Sequence, residues 1–598
     1  MEYWPGYSAF SGDNIIFDLG GKSKMGLKKI WEIVLAVSVA AVSLPGCSSP
    51  STSGGSLTTA QNTKQEDYTI EYLLPGAKDS KSTDNDIGKE IYKKFGIKIN
   101  IVGYAGNYEE KCATMLAGGN YPDLLQLQGN AMVSKYAKAG ALQDIGELAK
   151  QYAPNFLTFY KDSIPYWKLE NDEHKLYNWC ANTPDIEALT SPRFDMIIRS
   201  DILEQQGWPQ VLDEDSYVKL LKTGLQQNPK ADGNDTLGCV MGASEDWVIG
   251  DVMQQLYAHG KYPELSGIVA WDDDQKEFVD QVLDTISFKA GIKFWNRLYR
   301  EQILDPECFT DTDAVAQQKL NNGRALSTFY VTWEMGNVNN NLKKLNKSKM
   351  EYVTMPIMLK EQIDAKQKRV IPITDSYAHQ SVVITKNAKH ADRIMQLVNW
   401  VCTDEGQALL GWGIKGKHYT VDSKGIKTPT KQFIDCATGA SADTHFNDGV
   451  STDISYYFLG LSSGFDKNGQ CYNVLHDESV QDAQMDDRLK EVYSHYGWKN
   501  VTDPWKNNDL FGFKEVHTGL FSAVSLATGS QEAAAETKLK EFKTKQMASL
   551  IMSKSDADFE ANWAKFAQTY QSMSPDIIKK AYNDGYSKIK GEYDSVAK

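Results

Sequence analysis

The chain has 598 residues, more than one compact core usually serves, so at least two substantial lobes are expected. Its 64 Lys and Arg stand against 78 Asp and Glu, a formal net charge of −14, and no basic block is present that could track phosphates. Nucleic acid is therefore excluded as the expected partner, while 14 Trp and 30 Tyr supply flat faces of the kind sugar binders need, alongside ordinary core residues.

The apolar run from Ile30 to Leu44 has the length of a signal-peptide h-region and falls short of the ~20 residues of a membrane span. Lys28 and Lys29 precede it, and Met25-Gly26-Leu27 reads as a natural start. Residues 1–24 are accordingly read as an upstream extension outside the fold, and 25–46 as a signal peptide. Leu44-Pro45-Gly46-Cys47 comes next and resembles the lipobox of bacterial lipoproteins. The Cys47 thiol is the necessary chemical part, because it forms the thioether to diacylglycerol, and two acyl chains on one site anchor durably. The expected location is the extracellular face of the cell membrane, held by lipid. The remaining cysteines, Cys112, Cys180, Cys239, Cys308, Cys402, Cys436 and Cys471, are dispersed, odd in number and without CxxC or metal-ligand spacing. Several are read as buried free thiols.

Residues 48–67 are polar and aperiodic, as a tether should be, so 47–67 form the lipidated cysteine with its flexible arm. From Tyr68 the pattern changes. Tyr68, Ile70, Tyr72 and Leu74 alternate with polar residues as in a strand, Ile87, Ile91 and Phe95 share a helical face, and Ile97, Ile99 and Ile101 alternate again. Residues 109–117 read as a helix leading through Gly118-Gly119-Asn120 to a third strand at 122–127. This β-α-β rhythm indicates an α/β lobe. A second set starts with a strand at Asp195 to Arg199, helices at 200–206 and 213–225, and a strand at Gly238 to Met241. Helices at 286–302 and 314–322 precede strands at Ala325 to Val331 and Tyr352 to Met355. Ser381-Val382-Val383-Ile384 is a further strand, and Ile394, Leu397, Val398 and Val401 have the spacing of one buried helical face. Beyond about 532 the chain reads as mostly helical.

The order of these segments resembles extracellular solute-binding protein family 1, particularly large Gram-positive lipoproteins of ABC sugar importers. The resemblance is carried by Leu116-Ala117-Gly118-Gly119-Asn120-Tyr121-Pro122-Asp123-Leu124-Leu125, by 136–145, and by Met196 through Gly207. Its most specific part is Val383 to His390, continuing through Leu397-Val398-Asn399-Trp400 and Asp404-Glu405-Gly406 to Gly413-Ile414-Lys415-Gly416-Lys417-His418-Tyr419. The resemblance implies an α/β, two-lobed, hinge-linked fold of the type 2 periplasmic-binding-protein kind, with extra C-terminal helices. Residues 68–190 plus about 372–450 would form lobe 1, and 191–371 plus about 451–598 lobe 2. It further implies capture of a carbohydrate, an oligosaccharide by the size of the lobes, in the cleft between them and delivery to ABC permease transmembrane subunits. No cofactor, no metal, no catalysis and a monomer are expected. The chain departs from the resemblance at Asn228 to Asp235, a shortened version of a loop that resembles a calcium site in many relatives, and at Lys415, where many relatives have an acid.

A sugar ring presents an apolar C–H face and a rim of hydroxyls, so its site pairs aromatic plates with carboxylates and amides, favouring loops at the carboxyl ends of strands. Trp333 and Glu334 follow one strand, Gln126, Gln128 and Asn130 another, and Asp246 and Trp247 a third, while Asp375 and Tyr377 stand on the return toward the first lobe. These nine are the candidate ligand residues; Arg193, Trp179 and Trp412 rank below them, and Trp400 reads as structural. Gly460-Leu461-Ser462-Ser463-Gly464 matches GxSxG, but Phe465-Asp466-Lys467-Asn468-Gly469 reads as a loop where a nucleophile elbow demands a helix. Gly411 to Gly416 matches GxGxxG, yet it follows a helix, and His418 cannot replace a magnesium-binding hydroxyl. Rival readings are a peptide-binding or sensory lipoprotein on the same scaffold, and a secreted carbohydrate-active enzyme.

Overall fold

The alternation that begins at Tyr68 becomes strand β1 (Tyr68–Pro75) in the computed structural model. It describes residues 66–597 apart from 105, 128–129, 181–193, 254–255, 257–260, 264–266, 332–334, 375–380, 453–464, 500–502, 507–510, 517–519, 522 and 528. The segment read as a signal peptide, Cys47 and nearly all of the segment read as a tether lie outside the described residues, as does the GxSxG string. Among the described residues no helix is long and apolar enough to cross a membrane.

Ile70, Tyr72 and Leu74 of β1 face one apolar layer and Leu73 the other, so the strand is covered on both sides, as parallel sheets are. A two-residue strand β2 (Ser80–Lys81) precedes helix α1 (Asp86–Phe95). The Asn85 side chain accepts the Gly88 N–H at its start, and Gly96 at φ 62° ends it. Strand β3 (Ile97–Tyr104) then pairs parallel to β1. Helix α2 (Tyr108–Gly118) closes on left-handed Gly119 and leads to β4 (Leu124–Leu127), also parallel to β1, and later to β5 (Asn178–Cys180).

The second sheet comprises β6 (Phe194–Arg199), β7 (Leu237–Cys239), β8 (Ala325–Val331) and β9 (Tyr352–Met355) in the order β9-β6-β8-β7. Within it β6 alone runs against its neighbours. Strand β10 (Arg369–Thr374) follows, paired parallel with Phe511–Val516 in a sheet of its own, and β11 (Ser381–Ile384) enters the first sheet, giving the order β2-β3-β1-β4-β11-β5. There β11 runs against both β4 and β5. Each sheet thus takes in one reversed strand from the other lobe, and in the first the short β2 is also antiparallel to β3.

Two of the stretches that carry the family resemblance meet in space. Asp123 accepts the Tyr68 hydroxyl at 2.9 Å and the Glu71 N–H at 2.9 Å, and its own carbonyl accepts the Thr385 N–H. The Thr385 hydroxyl donates to the Pro122 carbonyl at 2.6 Å, and the Asn387 amide to that of Tyr121 at 3.0 Å. The Pro122-Asp123 pair, which reads as strand from sequence, is therefore a polar turn whose side chain pins β1 beside β4. The strand expected at Gly238 to Met241 runs from Leu237 to Cys239, with the Val240 N–H still donating to the Ser327 carbonyl at 3.0 Å and Val240 and Met241 buried in the core.

The second core gathers β6 to β9, helix α3 (Glu214–Gln227) and helix α4 (Phe288–Arg300). Against it pack α5 (Gln531–Ile551), α6 (Asp556–Ser572) and α7 (Asp576–Val596), through Phe542 on Phe566, Phe566 on Phe288 and Tyr582 on Phe278. The Asn583 amide accepts from Phe278 N and donates to Phe278 O, so α7 satisfies a strand backbone with one side chain. At its far end Tyr593 meets Tyr166, next to Trp167 of the first core, with ring centroids 4.7 Å apart. Val474 and Val480 also belong to that first core, and the chain rejoins the second at Met485.

Glu351, buried ahead of β9, lies beside Asp486, which also pairs with Lys343. Burial first, then the neighbouring carboxylate, pushes Glu351 up to about 8. Asp486 is raised by its own burial, but the Glu351 proton and the Lys343 ammonium hold it below the usual range. The pair thus shares one proton. A carboxyl raised from 4.5 to about 8 stabilises the fold fully below 4.5 and loses that contribution as pH climbs through 8. Stability should therefore fall with rising pH across that window, by at most ~1.4 kcal/mol per pH unit from this group. Glu351→Gln, which donates to Asp486 without a titrating proton, should flatten the slope in urea unfolding; an unchanged slope would remove the shared proton from the account.

Candidate functional site at the facing strand ends

The reversed strands fix which sheet edges face the interlobe region. In the first sheet Ser381, opening β11, sits opposite Leu127, closing β4, and Cys180, closing β5. In the second, Phe194, opening β6, sits opposite Val331, closing β8. Residues 181–193 connect these edges, and the chain from Thr374 to Ser381 can reach at most ~25 Å. The carboxyl ends of β4, β5, β7 and β8 therefore open toward the crossovers, the position at which open α/β sheets hold ligands.

On the second edge, the chain beyond β7 bends at Glu245 into the start of a helical segment that carries Asp246 and Trp247. Trp247 is 36 % exposed, and its ring stands over Tyr330 of β8 at 6.1 Å and 60°. The indole N–H donates to Glu245 Oε2 at 2.6 Å, and Glu245 Oε1 accepts the Asp313 N–H at 2.8 Å. The indole is thus held at its N–H and against Tyr330 while about a third of the residue, 36 %, stays exposed. Asp246 is exposed beside it. Beneath, Asp195 of β6 is the cross-strand partner of Tyr330 and accepts the Trp505 indole N–H at 2.9 Å and the Met196 N–H at 2.8 Å.

On the first edge, Glu170 is buried, and Oε2 accepts from the Asn178 amide at 2.9 Å and the Ser381 hydroxyl at 3.4 Å. Burial pushes this carboxyl well above the ordinary range despite those donors. The arrangement ties the start of β5 to the start of β11. The sequence places Gln126 among loop amides that meet hydroxyls; it lies instead inside β4, 2 % exposed, with its Nε2 unpartnered within the sheet. Asn130 opens a helix, Asn130–Lys138. Trp333, Glu334, Gln128, Asp375, Tyr377 and Arg193 lie outside the described residues. Trp179 is buried against Phe156, and Trp412 donates its indole N–H to the Cys471 carbonyl, so both serve the first core.

Tyr330, Glu245, Trp505 and Glu170 are not among the candidates that the sequence suggests. Only Glu245 carries a signal there, its adjacency to Asp246 and Trp247.

At the shortened loop, Asp232 and Gly233 take φ 50° and 80° between Lys230–Ala231 and Asn234–Asp235, the backbone of a tight hairpin. Asp232 pairs with Lys347 and Asp235 with Lys230. Among the described residues, ligand-type groups also gather at Asp305, Glu307 and Asp311, where the Lys319 ammonium sits 2.7 Å from Asp305 and 3.1 Å from Glu307 and also meets Asp311. The GxGxxG string is a post-helical turn: Gly413, at φ 83°, leaves room for His418 Nδ1 to accept the Ile414 N–H, and a Cβ there would lie 2.2 Å from that nitrogen.

Two sheets that each take in a strand from the other lobe have the two-lobed architecture of solute-binding proteins. Residues 86–413 match the bacterial extracellular solute-binding protein family, and the chain belongs to it. It is 22 % identical to lipoprotein LipO of Bacillus subtilis, over 66 % of this chain and 74 % of that one. It is 23 % identical to the fructooligosaccharide ABC transporter substrate-binding protein FusA of Streptococcus pneumoniae, over 41 % of this chain and 46 % of FusA. Its fold is similar to the solved structure of FusA in complex with kestose (TM-score 0.55, 15 % identity, 88 % and 100 % of the two chains). It is also similar to that of an HMO-binding ABC-transporter-associated solute-binding protein of Bifidobacterium longum infantis (0.56, 14 %, 88 % and 99 %).

Trp505→Phe removes one donor from buried Asp195 and should cost about 1–3 kcal/mol in urea unfolding. A loss below ~0.5 kcal/mol would show that water or another group replaces the indole.

Proposed function

We propose that the protein captures a carbohydrate, an oligosaccharide, between the facing strand edges. Held outside the cell by lipid on Cys47, it delivers the sugar to the transmembrane subunits of an ABC importer. The observation that carries this reading is the part-exposed Trp247 plate, backed by Tyr330 and flanked by Glu245 and Asp246. An indole face takes the C–H side of a pyranose or furanose ring while carboxylates accept its hydroxyls. FusA, solved with kestose, and the HMO-binding protein supply relatives of this fold that bind oligosaccharides. In this reading Trp333 and Glu334 continue the same wall beyond β8. Gln128 and Asn130 meet the sugar from the end of β4, and Asp375 and Tyr377 from the crossover. Only the closed form brings both edges to the ligand, so binding shifts the population toward the form that a permease accepts.

A thermal-shift panel of sugars against peptides tests the ligand class. A bound sugar at 100 times its dissociation constant adds ~2.7 kcal/mol. No shift with any mono- or oligosaccharide, with a shift from peptides, would transfer the protein to peptide capture. Trp247→Ala should keep the fold and weaken sugar binding at least tenfold, ~1.4 kcal/mol, in calorimetric titration; unchanged affinity removes Trp247 from the site. Cys47→Ser should move the protein from the membrane fraction to the medium of its host, and continued membrane retention would refute the anchor.

A further inference from the structure

The chain that carries Trp247 continues as a single π-helical turn, Val248–Val252. Such a turn takes an extra residue per hydrogen-bonded ring, which displaces its carbonyls from the ordinary helical ladder. Lys543 of α5 reaches this turn from 293 residues away. It is 0 % exposed, and its Nζ donates to the Gly250 carbonyl at 3.4 Å and the Gly267 carbonyl at 3.1 Å. Around it, Val248, Ile249, Val252, Leu539 and Met547 belong to one apolar core.

An ammonium donates along fixed directions, which an apolar side chain at this place on α5 could not do. The lysine adds direction, drawing one carbonyl of the π-turn and one from the segment entering Val269–Asp272 to a single point. The turn is continuous with the site: the Glu245 carbonyl accepts the N–H groups of Val248 at 3.0 Å and Ile249 at 3.2 Å, and the Glu245 carboxylate holds the Trp247 indole.

We infer that Lys543 is a positioning residue for the binding wall, fixing the π-turn and through it the orientation of Trp247 and Glu245. The C-terminal helices are thereby part of the recognition apparatus as well as a brace for the second lobe. This rests on Trp247 being the stacking plate, but one arm of its test needs no ligand.

That arm is 19F NMR of the full extracellular chain labelled with 5-fluorotryptophan, with the Trp247 resonance identified by its loss in Trp247→Phe. In Lys543→Met the Trp247 resonance should shift or broaden while those of Trp167, Trp179 and Trp412 in the first lobe stay in place. In the second arm, kestose or whichever sugar of the panel binds the wild type should bind the folded variant at least tenfold more weakly. A lysine with only a stabilising role would lower the melting temperature and leave both readouts unmoved. If Lys543→Met does not fold, Lys543→Gln, which keeps a neutral donor, is read in the same way. An unchanged Trp247 resonance in a folded variant overturns the inference, whatever the sugars do. A wild type that binds no sugar, with the resonance coupling present, leaves the positioning role standing and overturns the carbohydrate reading instead.

Discussion

The backbone pairing of β11 between β4 and β5 is the constraint on which the rest of the molecule depends. Ser381 lies opposite Leu127 on one side and Cys180 on the other, so the strand arriving from the second lobe is bonded along both edges. A slip by one residue would turn Val382 and Ile384 out of one apolar layer and Val383 out of the other, which both cores resist. The same logic holds β6 between β8 and β9. Because each delivered strand runs backward through its new sheet, its first residue must lie at the carboxyl ends of the neighbours. The facing edges, and with them the place proposed for the ligand, are consequences of that direction.

Polar groups at the strand ends serve the same geometry. Glu170 joins the roots of β5 and β11, Asp123 joins β1 to β4 and the Thr385 turn, and Asp195 anchors β6 to Trp505. Glu170 and Asp195 are buried carboxyls met by directed donors, Asp123 a half-buried one, and each sits where an element must not rotate. The C-terminal helices contribute differently. They cover the second core through aromatic packing, cross to the first lobe at Tyr166 and Tyr593, and place a buried ammonium behind the Trp247 segment. A hinge motion that separates the lobes has to break or carry the Tyr593 contact, so α7 enters the energetics of closure.

Much of the first lobe is legible in the sequence because its signals are local. Alternation at Tyr68 to Leu74 and at Ile97 to Ile101, the shared face of Ile87, Ile91 and Phe95, and the glycines after α2 each report on a few neighbouring residues. The second-lobe strands at Ala325 to Val331 and Tyr352 to Met355 are legible for the same reason. The site is less so. Gln126 reads as a loop amide from its polarity, but pairing with Val382 places it within the sheet. Trp505, Lys543 and the Glu351–Asp486 pair act across 135 to 310 residues, and no local pattern marks such partners. The acidic loop near Asp232 shows the same limit, since one of the lysines that meet its charge comes from position 347.

Hydrogen–deuterium exchange of the extracellular chain, with and without a saturating oligosaccharide from the series that binds it, tests most directly whether the solute sits between the facing edges. Protection should rise together in the Glu245 to Met253 segment of the second lobe and in the Leu127 to Lys138 segment of the first. Protection confined to one lobe, or found on the outer face of the first lobe around Trp400 and Tyr419, would contradict capture in the interlobe cleft.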